Sequence, residues 1–204
     1  STLAIANGGI RTHPDLGRAR LNLEDMQANL AYVDAAGGGL IDTWRLPPEL
    51  HQLSIRHIDL NADDQICLVM QYQGPADRHP PLVAFHRGED ALQLRTAPNR
   101  LHTAMRNYCG SVAVEAGGRV CAVTSPRGGL VTLWSMADGR FLGSSLLRDC
   151  GGVAAGALPG GFLVSSGEGR IVSLNACNGQ WQQDRVVEHT GTNWDNHLTP
   201  VKLF

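Results

Sequence analysis

The chain has 204 residues, with 24 glycines, 43% hydrophobic residues, 18% charged residues and a formal net charge of −2. That length holds a sizeable core, and abundant glycine with few charges suits a turn-rich all-β protein. The near-neutral balance gives no reason to expect nucleic acid or a membrane surface as partner, no apolar run approaches the roughly eighteen residues of a spanning helix, and no signal peptide is recognisable.

Taken in order, the chain repeats one pattern of short β-branched runs separated by glycine turns, which we letter A to D within each repeat. Residues 1–8 (STLAIANG), 29–35 (NLAYVDA) and 40–46 (LIDTWRL) read as strands B, C and D, with no strand A before them. Residues 55–60, 66–72, 82–87 and 91–97 form a complete set. So do 111–115, 120–125, 130–136 and 141–147, joined by Ala-Gly-Gly-Arg at 116–119, Pro-Arg-Gly-Gly at 126–129 and Ala-Asp-Gly-Arg at 137–140. A last set falls at 152–158, 161–167, 170–176 and 181–187, and its entry, Cys150-Gly151-Gly152-Val153-Ala154, matches Cys109-Gly110-Ser111-Val112-Ala113.

The third strands begin near residues 30, 82, 130 and 170, spacings of 52, 48 and 40 that fit WD40-like propeller blades. We therefore expect an all-β, β-propeller architecture of four-stranded antiparallel blades at about 1–46, 55–97, 111–147 and 152–187, in one domain. Residues 197–204 (HLTPVKLF) read as a closing strand able to complete the first blade, and Trp194, Asp195 and Asn196 as its cap. An open stack would bare several hundred Å² of apolar blade face, on the order of 10 kcal/mol at about 25 cal/mol per Å². Such a chain is expected to self-associate or to belong to a longer protein.

In an A-B-C-D blade the A-B and C-D turns lie on one face of the disc, and the B-C and D-A connections on the other. The first set is short and bland. The second is long and rich in Arg, His, Asn and Tyr, and loops on a rigid scaffold are where binding residues concentrate. The candidates there are Arg11 and His13 in the 7–28 insertion, His51, then Arg56 and His57 at the start of a strand A, Arg106, Asn107 and Tyr108 before the next, and Arg127 in Ser-Pro-Arg-Gly-Gly. Such a ring suits a carboxylate or phosphate held by charge-assisted hydrogen bonds. The same residues would equally satisfy backbone groups and channel water. Asn22 to Asp25 are placed to start a short helix in the insertion.

A metal would require His51, His57, His197 and Asp195 to converge, and no HxH or HExxH spacing supports that, so no metal and no catalytic residue is assigned and the cofactor stays unknown. Of the five cysteines, Cys67 and Cys121 read as small core residues on strand B of successive blades. Cys109 and Cys150 share matching blade entries, and Cys177 lies at a C-D turn. Lys202 is the only lysine among 17 basic residues, which leaves 16 arginines, a bias read first as GC-rich coding and second as a preference for bidentate anion contacts.

The strings NGGIRTHPD, LPPELHQLSIRH, QYQGP, MRNY and TSPRGG resemble the C-terminal part of the bacterial propeller family catalogued as domain of unknown function 1513, and the resemblance covers nearly the whole chain. It implies an exported, twin-arginine-type periplasmic protein, typically a seven-bladed disc, associated with iron uptake. Asn7, Arg11, His13, His51, Arg56, His57, Arg106, Asn107, Tyr108 and Arg127 match its pattern, and the family supplies no catalytic residues to carry over. Two functions stay open: a binding or scaffold module that docks a protein partner or a small anionic ligand on the loop-rich face, and a quinoprotein-like or other propeller enzyme with an Arg/His site at the channel mouth. The lack of a nucleophile elbow, metal motif or paired carboxylates favours the first.

Overall fold

The computed structural model describes residues 1–17, 19–88, 91–177, 180–195, 197–199 and 201, and arranges them as a row of antiparallel sheets. The first sheet holds β1 (Thr2–Asn7), β2 (Asn29–Asp34) and β3 (Leu40–Arg45). The second holds β4 (Leu53–Leu60), β5 (Ile66–Tyr72), β6 (Val83–His86) and β7 (Gln93–Arg95). In the D-A connection that follows stands α1 (Asn99–Ala104). The third sheet holds β8 (Ser111–Val114), β9 (Val120–Ser125), β10 (Leu130–Ser135) and β11 (Phe141–Leu146). The fourth holds β12 (Cys150–Ala155), β13 (Gly161–Ser166), β14 (Arg170–Cys177) and β15 (Gln180–Glu188). Every sheet runs in chain order, so each is an up-and-down meander and reads as a propeller blade.

The blades stack face to face through their leading strands: β1 lies against β4, β4 against β8 and β8 against β12. A sheet with neighbours on both sides has no polar face, which is why β5 (ICLVM at its start) is continuously buried rather than alternating. Leu30, Leu53, Ile55, Leu68, Met70, Phe85 and Trp134 fill the space among the first three sheets. Val131, Leu133, Phe162, Val164 and Leu174 fill the space between the third and fourth. The first sheet alternates instead. Ala4 and Ala6 pack inward, while Leu3, Ile5 and Leu40 stay 52%, 40% and 68% exposed on its outer side.

Polar side chains stitch one blade to the next. The Asp59 carboxylate accepts the Val114 N–H at 2.7 Å and Asn61 Nδ2 donates to the Gly118 carbonyl at 2.9 Å, tying the second blade to the third. Glu115 accepts the N–H groups of Gly117, Arg119 and, across to the fourth blade, Gly160. The matching entry cysteines also do matching work: Cys109 Sγ donates to the Leu82 carbonyl and Cys150 Sγ to the Leu130 carbonyl, each reaching the third strand of the preceding blade.

Several boundaries differ from the sequence expectation. β4 starts at Leu53 rather than residue 55, and β12 at Cys150 rather than 152, because the flanking loops pair on into the ladder. No helix forms at residues 22–25. The Asn22 side chain instead accepts the Arg11 N–H at 2.7 Å and donates to the Gly9 carbonyl at 2.9 Å, pinning the insertion across itself. The closing strand expected at 197–204 lies partly outside the described residues. Residues 197–199 are not in a strand, and Leu198 passes close to Gly152 on β12. The Asn178-Gly179 turn, Asn196 and the Cys177 side chain also lie outside the described residues.

Burial pushes the Glu115 carboxyl up, but the N–H donors of Gly160, Arg119 and Gly117 together with the Arg119 charge outweigh it, so its pKa lies below the ordinary value. Its stabilising contribution is therefore present above the unfolded carboxyl's pKa and is lost as pH falls through the lower folded value. Glu115→Gln, which turns an amide donor toward N–H donors, should cost about 1–3 kcal/mol in urea unfolding at pH 7. That difference should shrink in unfolding measured at acid pH.

Candidate functional site

The site is built from the connections at the B-C and D-A ends of the first three blades. In Ser-Pro-Arg-Gly-Gly, a single 3-10 turn runs Pro126–Gly128 and ends on Gly129 at φ 62°. A Cβ at Gly128 would collide with the Ala104 carbonyl oxygen, so the loop seats on the end of α1 only because that residue is glycine. This holds Arg127 outward with its guanidinium carbon 4.2 Å from the centre of the Tyr108 ring. Stacking of this kind is worth on the order of 1 kcal/mol and fixes the plane of the guanidinium.

Arg106 and Asn107 are consecutive non-glycine residues in the left-handed region, at φ 52° and 55°. Each costs on the order of 1–2 kcal/mol and persists only where its surroundings hold it. Here the Asn107 carbonyl accepts the Tyr72 N–H at 3.0 Å, Asn107 Nδ2 donates to the Arg78 carbonyl at 2.8 Å, and the Cys109 N–H meets the Met70 carbonyl at 3.3 Å. From the other side Ser125 Oγ lies 2.8 and 2.7 Å from the carbonyl oxygens of Met105 and Tyr108, which share its one proton. The D-A connection is thus clamped between β5 and β9.

Around it opens a cleft of about 590 Å³ lined by Arg20, Tyr72, His79, Arg106, Asn107 and Arg127 among others. Arg20 comes from the first blade's insertion and donates to Gln73 Oε1 of the second blade at 2.6 Å. The His79 ring lies 3.5 Å from Asn107 Oδ1, and Arg106 Nη1 reaches the Arg127 carbonyl at 3.5 Å. No carboxylate lines this cleft, and no ion pair to a carboxylate is found for Arg20, Arg106 or Arg127 among the described residues. Three guanidiniums gathered without a counter-charge repel one another and favour an incoming anion.

The structure divides the sequence candidates. Arg106, Asn107, Tyr108 and Arg127 come together at this cleft. Arg11 is instead ion-paired with Asp25 at 3.1 Å on the exposed insertion, and His13 accepts the Asp15 N–H at 3.3 Å to cap a short 3-10 turn. His51 donates to the Pro48 carbonyl at 3.1 Å and lines a separate cleft of about 410 Å³ with Glu24, Asp25 and Arg45. Arg56 and His57 do not begin their strand, contrary to the sequence expectation. They sit within β4 at an irregularity in its pairing with β5, where an extra residue turns the strand, which leaves Arg56 exposed and His57 half-buried. Two residues outside the candidate ligand set, Arg20 and His79, are also in the cleft. Both were visible only as members of long loops, because nothing local says that residues 20, 79, 106 and 127 meet. His102, on α1, is buried and donates from Nε2 to the Pro80 carbonyl at 2.9 Å.

His57 lies against His197, ring centres 5.1 Å apart. Burial, then the neighbouring His197 and Arg56, lower its pKa to about 4 from the ordinary 6.5. The folded protein holds the ring neutral, so the unfolded chain binds the extra proton as pH falls from 6.5 to about 4 and stability declines through that window. Replacing it (His57→Asn) should remove on the order of 1–2 kcal/mol of that acid sensitivity, a figure discounted for its partial exposure. Urea midpoints at pH 7, 5.5 and 4 measure it.

The stacked four-stranded meanders define a propeller-like fold with a loop-built cleft at one end of its blades. Residues 1–201 match the family model described as "Protein of unknown function (DUF1513)", and the chain belongs to that family. No curated protein matches the chain. Among solved structures it is similar to a chain of "Crystal Structure of Mitotic Checkpoint Complex", with 10% identity and a TM-score of 0.61, covering 84% of this chain and 52% of that one. The chain therefore spans about half the length of that relative, and the likeness shows the fold alone.

Proposed function

We propose that the protein is a non-catalytic binding module that takes a small anionic ligand, a carboxylate or phosphate compound, in the cleft among its first three blades. The observation that carries this is the lining itself: Arg20, Arg106 and Arg127 with His79 and Asn107, and no acidic residue among the described residues. Tyr108 stacks on the Arg127 guanidinium and orders it before any ligand arrives, and the clamped connection fixes the backbone from which Arg106 projects. Arginine's planar fork matches a carboxylate or phosphate oxygen pair. The family resemblance adds the proposed setting, a periplasmic module in an iron-acquisition-related system.

Isothermal titration with citrate and with inorganic phosphate tests the reading. Binding of at least one of them should weaken about tenfold or more for Arg106→Ala and for Arg127→Ala, about 1.4 kcal/mol or more each, and should fall as salt rises. Arg11→Ala, whose guanidinium is already paired with Asp25, should leave affinity unchanged. No binding of either anion, or binding indifferent to Arg106 and Arg127, sinks the proposal.

A further inference from the structure

Four described cysteines are buried, and they fall into two kinds. Cys109 and Cys150 each aim a thiol at a carbonyl oxygen of the preceding blade, at 3.8 and 3.2 Å. Cys67 and Cys121 aim at each other. They sit on β5 and β9, the second strands of neighbouring blades, both fully buried, with their Sγ atoms 3.3 Å apart. A disulfide needs about 2.05 Å, so the sulfurs must close by only about 1.3 Å.

We infer that Cys67 and Cys121 form an interblade disulfide when the folding chain meets a thiol oxidant. The two thiols lose two protons and two electrons as the S–S bond forms, and a small-molecule or protein disulfide takes them up and leaves as two thiols, by way of a mixed disulfide. Burial and the Cys121 contact push the Cys67 thiol well up in the folded state, which suppresses the attacking thiolate. The bond therefore forms before the second and third blades close on each other, and is protected from reductant afterwards. The cross-link joins residues 54 apart in sequence. It also joins the two strands whose ends clamp the D-A connection, since β5 runs up to Tyr72 and β9 to Ser125. The inference does not depend on the identity of any ligand.

The test is to refold the reduced, denatured chain in a buffer of reduced and oxidised glutathione, block free thiols under denaturing conditions, and map peptides without reduction. The expected result is one linked pair containing Cys67 and Cys121, with Cys109 and Cys150 blocked as free thiols. The oxidised protein should melt on the order of 10 °C above the reduced protein. Cys121→Ser should abolish that gap and Cys150→Ser should keep it. Natively folded protein with Cys67 and Cys121 both blocked overturns the inference, as does a linkage through Cys109 or Cys150, or failure to reach the native circular dichroism spectrum in the oxidising buffer alone. The peptide map is read on the wild-type chain, so a variant that does not fold leaves the test intact.

Discussion

A four-stranded meander of strands three to nine residues long cannot hide both of its faces by itself, and this molecule's structure follows from how that problem is solved. Each sheet uses its neighbour as the missing half of its core, so inner strands of the middle blades such as β5, β9 and β10 are buried on both sides. Stacking also brings loops from different blades together at the two ends of the strands. One end became a seam, where Asp59, Asn61 and Glu115 spend their polar groups on the backbone of the next blade. The other end was left with long connections and became the cleft.

The cleft is the consequence of two rigid constraints meeting. The D-A connection from Asn99 to Gly110 is held by β5 on one side and β9 on the other, and in that clamp Arg106 and Asn107 adopt backbone angles that a free loop would abandon. The glycine pair after Arg127 lets the third blade's turn press against α1, bringing that arginine within reach of Arg106. Arg20 then arrives from the first blade. The charges are concentrated by packing, and no local sequence preference places them together.

The surroundings of His57 follow a different logic. There His57 is kept neutral by burial and by its cationic neighbour, beside His197. The same burial that disfavours a charged imidazole disfavours a thiolate, and it pushes the Cys109 and Cys150 thiols up.

The repeat was legible without coordinates: β-branched runs, glycine turns at matching offsets and a period of 40–52 residues imply meandering blades, because turn chemistry and strand patterning are local properties. The sorting of Arg106, Asn107, Tyr108 and Arg127 onto one end of the blades was legible too, since strand direction alternates along the chain. What sequence could not supply were distances between blades. That Arg11 is already neutralised by Asp25, that His57 lies beside His197, that Arg20 joins Arg106, and that Cys67 meets Cys121 all depend on which loop or strand lies beside which across the fold. Local pattern carries the shape of each blade; only the packing of one blade on the next decides which side chains become neighbours, because that contact is made by surfaces distant in the chain.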